Sequence, residues 1–80
     1  MSMKQAIDER LQTLDMNSYQ LALKVAADRG TPNKGRDLST QMSRLVGNPE
    51  GSKLKSVIEV VEALGGKLVI QWQDVKEVEV

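Results

Sequence analysis

The chain has no cysteine, no histidine and no phenylalanine, and Tyr19 and Trp72 are its only aromatics. Without cysteine there is no disulfide and no thiol chemistry; without histidine as well, zinc sites of the usual kind and imidazole acid–base catalysis drop out. No apolar run approaches the roughly 20 residues that cross a bilayer, and Met1–Asp15 lacks the charged start and apolar block of a secretory leader. A cytoplasmic protein with no membrane association is the expectation. Eighty residues allow one modest core, without room for a second globular domain or a deep cofactor cleft. Catalysis would need a carboxylate pair, a Ser/Lys nucleophile or an oxygen-held metal, and the spacing for these is missing. Glu59 and Glu62 read as the polar side of an amphipathic helix. The expectation is no enzyme, no cofactor and no metal.

What is present is an uneven charge distribution under a net charge of zero. Residues 1–19 hold two cations against three anions, residues 20–56 seven against three, and residues 57–80 two against five. A locally basic middle suits phosphate binding, and a solvated loop would look the same.

Ile7, Leu11 and Leu14 form an apolar stripe at helical spacing within Ser2–Leu14. The pattern breaks at Asp15–Ser18, where Asn17 or Ser18 can cap a second helix carrying Leu21, Ala22 and Val25. Gly30 offers its left-handed stop, and Gly30–Arg36 reads as a loop. Asp37 is the expected N-cap of a third helix whose Leu38, Met42, Leu45 and Val46 face the core. Gly47–Gly51 ends it. Ser52 is the expected cap of a fourth helix bearing Leu54, Val57, Ile58, Val61 and Leu64, which Gly65-Gly66 stops. The period then falls to two, so Lys67–Gln73 reads as a strand. A lone strand must pair. Val78 and Val80 alternate with Glu77 and Glu79, so the tail can return as a hairpin. Because Gln73-Asp74 is a weak turn signal and Trp72 is a large side chain for a small domain to cover, pairing with a second copy is favoured. Leu68, Ile70 and Trp72 are then the dimerisation residues, with Trp72 a packing anchor rather than a base-stacking platform.

In this order of elements, Met16-Asn17-Ser18-Tyr19-Gln20-Leu21-Ala22-Leu23-Lys24-Val25 resembles the second helix of the helix-turn-helix family of phage repressors, Cro proteins and related regulators, including antitoxins of that fold. Thr40-Gln41-Met42-Ser43-Arg44-Leu45-Val46-Gly47-Asn48 resembles the family's recognition helix, often S-T-I-S-R-I-E-N-G. Ala63-Leu64-Gly65 is identical to a common ending of the following helix. The resemblance covers about residues 4–66. It departs from the family at Ala26, where glycine is usual, and in the long stretch Ala27–Gln41, which expands the tight turn and brings Arg29, Lys34 and Arg36 beside the DNA face.

The resemblance implies a mostly α, four- to five-helix lambda-repressor-like domain over residues 1–66, with residues 67–80 as a C-terminal dimerisation strand. It implies a sequence-specific regulator, a repressor binding a palindromic operator in double-stranded DNA as a homodimer. Ser39, Thr40, Ser43 and Arg44 would read bases, while Ser18, Gln20 and Lys53, with the loop residues Arg29, Lys34 and Arg36, would meet phosphates or a groove. The alternative is an antitoxin that binds a toxin protein and autoregulates its operon; a third is an interaction module that kept the fold without binding DNA. Without the resemblance, the third helix is an ordinary amphipathic surface helix.

Overall fold

The computed structural model describes residues 2–74 and 77–80. Four helices come first: α1 (Met3–Thr13), α2 (Ser18–Asp28), α3 (Gly35–Gly47) and α4 (Leu54–Ala63). Short 3-10 turns at Pro32–Lys34 and Pro49–Gly51 precede α3 and α4, and a two-stranded antiparallel sheet of β1 (Val69–Gln71) and β2 (Glu77–Glu79) closes the order. The protein is thus mostly helical with a short C-terminal sheet.

Helix starts and stops follow local chemistry. Ser2 caps α1 through a reciprocal box: its hydroxyl accepts from the Gln5 amide at 3.1 Å, and the Gln5 side-chain oxygen accepts from the Ser2 amide at 2.9 Å. Asn17 and Gln20 do the same for α2 at 2.8 and 3.0 Å. Such boxes satisfy two of the amides that a helix start leaves without partners. At the other ends, Gly30 (φ 80°) and Gly65 (φ 86°) take the left-handed conformation. The following amides bond back to Ala26 at 2.8 Å and to Val61 at 2.9 Å, the doubly bonded stop that favours glycine.

Helix α2 is the centre of the core. Leu21, Ala22, Val25 and Ala26 have no exposed surface, and around them pack Ile7 and Leu11 of α1, Met42 and Leu45 of α3, and Val57 and Val60 of α4 with Leu64 just beyond it. The most extensive helix contact is between α2 and α3. Leu38 and Val46 are half-buried against this cluster.

Several boundaries differ from those read in the sequence. Asp37 is not the cap of α3. The 3-10 turn runs straight into the helix, Lys34 occupies the cap position without a side-chain bond, and Asp37 falls in the first turn, where its carboxylate complements the positive end of the helix dipole. The cause is tertiary: Gly35 is buried against α2, and a Cβ there would lie 2.6 Å from Leu23 Cδ2 and 3.0 Å from Leu23 Cα. The stretch Gly30–Arg36 is therefore mostly structured turn and helix. Ser52 is not the cap of α4 either; its hydroxyl donates to the Asn48 carbonyl at 2.9 Å, and Lys53 stands in the cap position.

The buried stripe of α4 is Val57, Val60 and Leu64, which leaves Leu54 57% exposed at the start of the helix. Leu14, expected inside, follows α1 as its C-terminal cap and is exposed.

The expected pairing of the strand across a dimer is replaced by pairing within the chain. Val69 faces Glu79, Ile70 faces Val78 and Gln71 faces Glu77, and the Val80 amide extends the ladder to the Leu68 carbonyl at 2.9 Å. The ladder bonds that a lone strand would leave open are made by the tail itself. The hairpin packs chiefly on itself. The radius of gyration, 13.0 Å over extents of 45 × 23 × 22 Å, exceeds the roughly 11.6 Å of a near-spherical domain of this length.

Candidate nucleic-acid interface

Helix α3 divides cleanly. With Met42 and Leu45 buried and Leu38 and Val46 half-buried, helical geometry turns Arg36, Asp37, Thr40, Ser43 and Arg44 outward, and all five are exposed. Thr40 lies at the middle of this face, Arg44 one turn further on. Ser39 sits at its edge, half-buried, its hydroxyl donating to the Arg36 carbonyl at 3.1 Å.

Tertiary packing adds the second wall. A groove of about 760 Å³ runs between α3 and the start of α4, with Asp37, Thr40, Gln41 and Arg44 on one side and Ser52, Lys53 and Ser56 on the other. Three residues singled out in the sequence, Thr40, Arg44 and Lys53, are brought together here. Asp37, Gln41, Ser52 and Ser56 were not anticipated. Asp37 and Gln41 share a face with Arg44 at helical spacing and were legible on that ground. Ser52 and Ser56 reach the groove only because α4 packs beside α3. The charged side chains lining it are Arg44 and Lys53 against Asp37, a modestly cationic surface with several hydroxyl and amide groups.

The remaining sequence-selected residues are distributed around this groove rather than in it. Lys34 and Arg36 are exposed at the start of α3. Ser18 is the first residue of α2 and half-buried, while Gln20 is held by the capping box with Asn17. Arg29 is engaged elsewhere: its guanidinium donates through Nε and Nη2 to the two carboxylate oxygens of Glu59 on α4, each at 2.5 Å. The hydrogen bonds from Arg29 hold the Glu59 carboxyl below its ordinary range in spite of partial burial, and Glu59 in turn raises Arg29. A charge so neutralised contributes little to an anion-binding field.

Among the described residues no cluster of three or more His, Cys, Asp or Glu side chains is placed to hold a metal ion, and no helix is long and apolar enough to cross a membrane. No protein-family model, curated protein or solved structure gives a significant match to this chain.

Proposed function

We propose that this protein is a helix-turn-helix transcriptional regulator of the phage-repressor type, binding double-stranded DNA through the outward face of α3 and acting as a repressor by occupying a palindromic operator as a homodimer. The observation that carries the reading is the convergence of Thr40, Ser43 and Arg44 on one exposed face of a helix seated on α2, with Lys53 across a groove from Arg44. Thirteen residues of α3 make a rod of about 20 Å, a size that a major groove roughly 12 Å wide admits. Arg44 offers a planar fork matched to guanine O6 and N7, Thr40 and Ser43 offer hydroxyls to bases or sugars, and Lys53, Lys34 and Arg36 supply charge to phosphates.

With few cations on this face, base readout and hydroxyl contacts carry more of the discrimination than bulk charge, and binding weakens with salt according to the number of phosphates met. The test is selection of bound duplexes from a random pool. An enriched inverted repeat, with half-sites about 34–36 Å apart, supports the reading. Enrichment of nothing at low salt, or equal binding to single strands, overturns it.

A further inference from the structure

Helix α1 buries Ile7 and Leu11, but the strip beside them is not closed over by the rest of the chain. Met3, Ala6, Ile7 and Arg10 follow the i, i+3, i+4, i+7 spacing of one helical face, and with Val61 of α4 and Leu68 just before β1 they line a groove of about 430 Å³. Its lining is mostly apolar. Two glycines keep it open where α4 stops: a Cβ on Gly65 would lie 3.2 Å from Arg10 Nη2, and one on Gly66 3.3 Å from Val61 Cγ1.

The charges on this groove are of one sign. Arg10 and Lys67 line it, and among the described residues no Asp or Glu does. The Arg10 Nε donates to the Leu64 carbonyl at 2.9 Å. That bond fixes the guanidinium at the end of α4, and its other N–H donors, over Gly65, meet no carboxylate among the described residues. Lys67 has a partner in Glu79, but at 3.9 Å and with the two side chains 67% and 65% exposed. So loose a pair loses little when a second anion arrives.

We propose that this groove binds a small anionic amphiphile, a free carboxylate carrying one hydrocarbon chain, with the chain along α1 and the carboxylate on Arg10 and Lys67. Size and charge single out this occupant. From Met3 to Arg10 the helix rises roughly 10 Å, the length of an extended acyl chain of about eight carbons. The volume falls within the roughly 300–1,000 Å³ of small-molecule sites. A protein partner needs roughly 800 Å² of contact, which so short a trough does not offer. The open N–H donors of a held guanidinium suit a carboxylate, which accepts charge-assisted bonds, and repel an ammonium. The site shares no residue with the groove between α3 and α4, so it stands or falls apart from DNA recognition.

The test is titration of the full isotope-labelled chain with octanoate, followed by amide resonances. The controls are 1-octanol and octylamine, neutral and cationic chains of the same length, and acetate, the head group alone. Octanoate should bind saturably and shift the amides of Ala6, Ile7, Arg10, Gly65 and Gly66. Octanol should bind at least about tenfold more weakly, through loss of the charge-assisted contact, and octylamine and acetate should not bind measurably. Arg10→Gln should bring octanoate down to the affinity of octanol. Because that change also removes the bond to Leu64, two further variants separate binding from folding. Lys67→Gln leaves the bond in place and should weaken octanoate severalfold. Ala6→Glu changes an exposed helix position and sets a carboxylate one turn before Arg10, which should abolish octanoate binding with helix content by circular dichroism unchanged. Equal binding of octanoate and octanol, shifts centred on Trp72 or on the α3–α4 groove, full affinity in Ala6→Glu, or no saturable binding each overturns the proposal. So does attachment to phosphatidylglycerol vesicles in place of octanoate, which would make the groove a lipid-surface contact. Shifts of the same amides with protein concentration alone would overturn it as well, by giving the groove to a second copy.

Discussion

Arg29 and Glu59, 30 residues apart in sequence, meet in a two-pronged ion pair that ties the end of α2 to the middle of α4. The side chains are 39% and 29% exposed, so solvent screens the pair, but its planar double contact gives it better geometry than the i,i+4 pairs Lys4–Asp8 and Lys24–Asp28. It also fixes the position of α4, and hence of Lys53, relative to the helix on which α3 rests.

Because the folded-state pKa of Glu59 is lowered, its stabilisation is present above the ordinary carboxyl value of about 4.3 and disappears as pH falls through the depressed folded value. Glu59→Gln should cost about 0.5–1 kcal/mol at pH 7, the upper end for an exposed pair. Urea titrations of native and variant protein should converge as the pH is lowered through the acid range. A gap that stays constant at acid pH would assign the loss to packing rather than to the ion pair.

At Gly35 the start of α3 lies close against Leu23 of α2. A methyl group there meets Leu23 Cδ2 at 2.6 Å and Leu23 Cα at 3.0 Å; the first atom can swing aside on a 39% exposed side chain, the second belongs to the backbone. Gly35→Ala should therefore destabilise by about 1–3 kcal/mol, the usual range for overpacking. Adding Leu23→Ala should recover only part of this. Full recovery in the double variant, measured by denaturant midpoint, would mean that the side chain alone set the crossing.

How far the sequence reveals this arrangement depends on the range of the interactions involved. Leu21, Ala22 and Val25 announce α2 because their spacing is a local property, and Met42 with Leu45 fixes the phase of α3 and so the outward position of Thr40 and Arg44. The start of α3 at Gly35 is not local: it follows from the backbone of Leu23 and cannot be seen in Gly30–Arg36 alone. In α4 the neighbours Val57, Ile58, Val60 and Val61 make the helix apolar on most sides, so periodicity leaves its phase open and Val60 escapes notice. The hairpin is visible as one of two ways to pair the strand, and the weak turn signal at Gln73-Asp74 is what tilts the reading toward a second copy. Lys53 was legible as a cation, but its place across from Arg44 depends on how α4 packs.

Gln20 has two possible roles, and they separate experimentally. Its side chain accepts from the Asn17 amide at 3.0 Å, a task that glutamate performs equally well. Gln20→Glu should therefore leave thermal stability nearly unchanged, while Asn17→Ala lowers it by about 1 kcal/mol. If the start of α2 lies against a phosphate, the new charge of Gln20→Glu weakens DNA binding by repulsion and steepens its salt dependence. Unchanged affinity would confine Gln20 to capping.

Arg44 and Lys53 face one groove but should fail in different ways when removed. Arg44 lies on the outward face of α3, where its fork can reach a base edge, so Arg44→Ala should cost about 1–3 kcal/mol on the preferred site and flatten discrimination at one base pair. Arg44→Lys should not restore it, because a point charge does not reproduce the planar pair of donors. Lys53 stands at the N-terminus of α4, at the groove's rim, so Lys53→Ala should weaken every duplex about equally and reduce the salt slope by about one. Titrations of preferred and single-substitution duplexes at several salt concentrations distinguish the two. An Arg44→Ala variant that loses affinity uniformly, with its base preferences intact, would make α3 a backbone-binding helix and move sequence recognition elsewhere on the molecule.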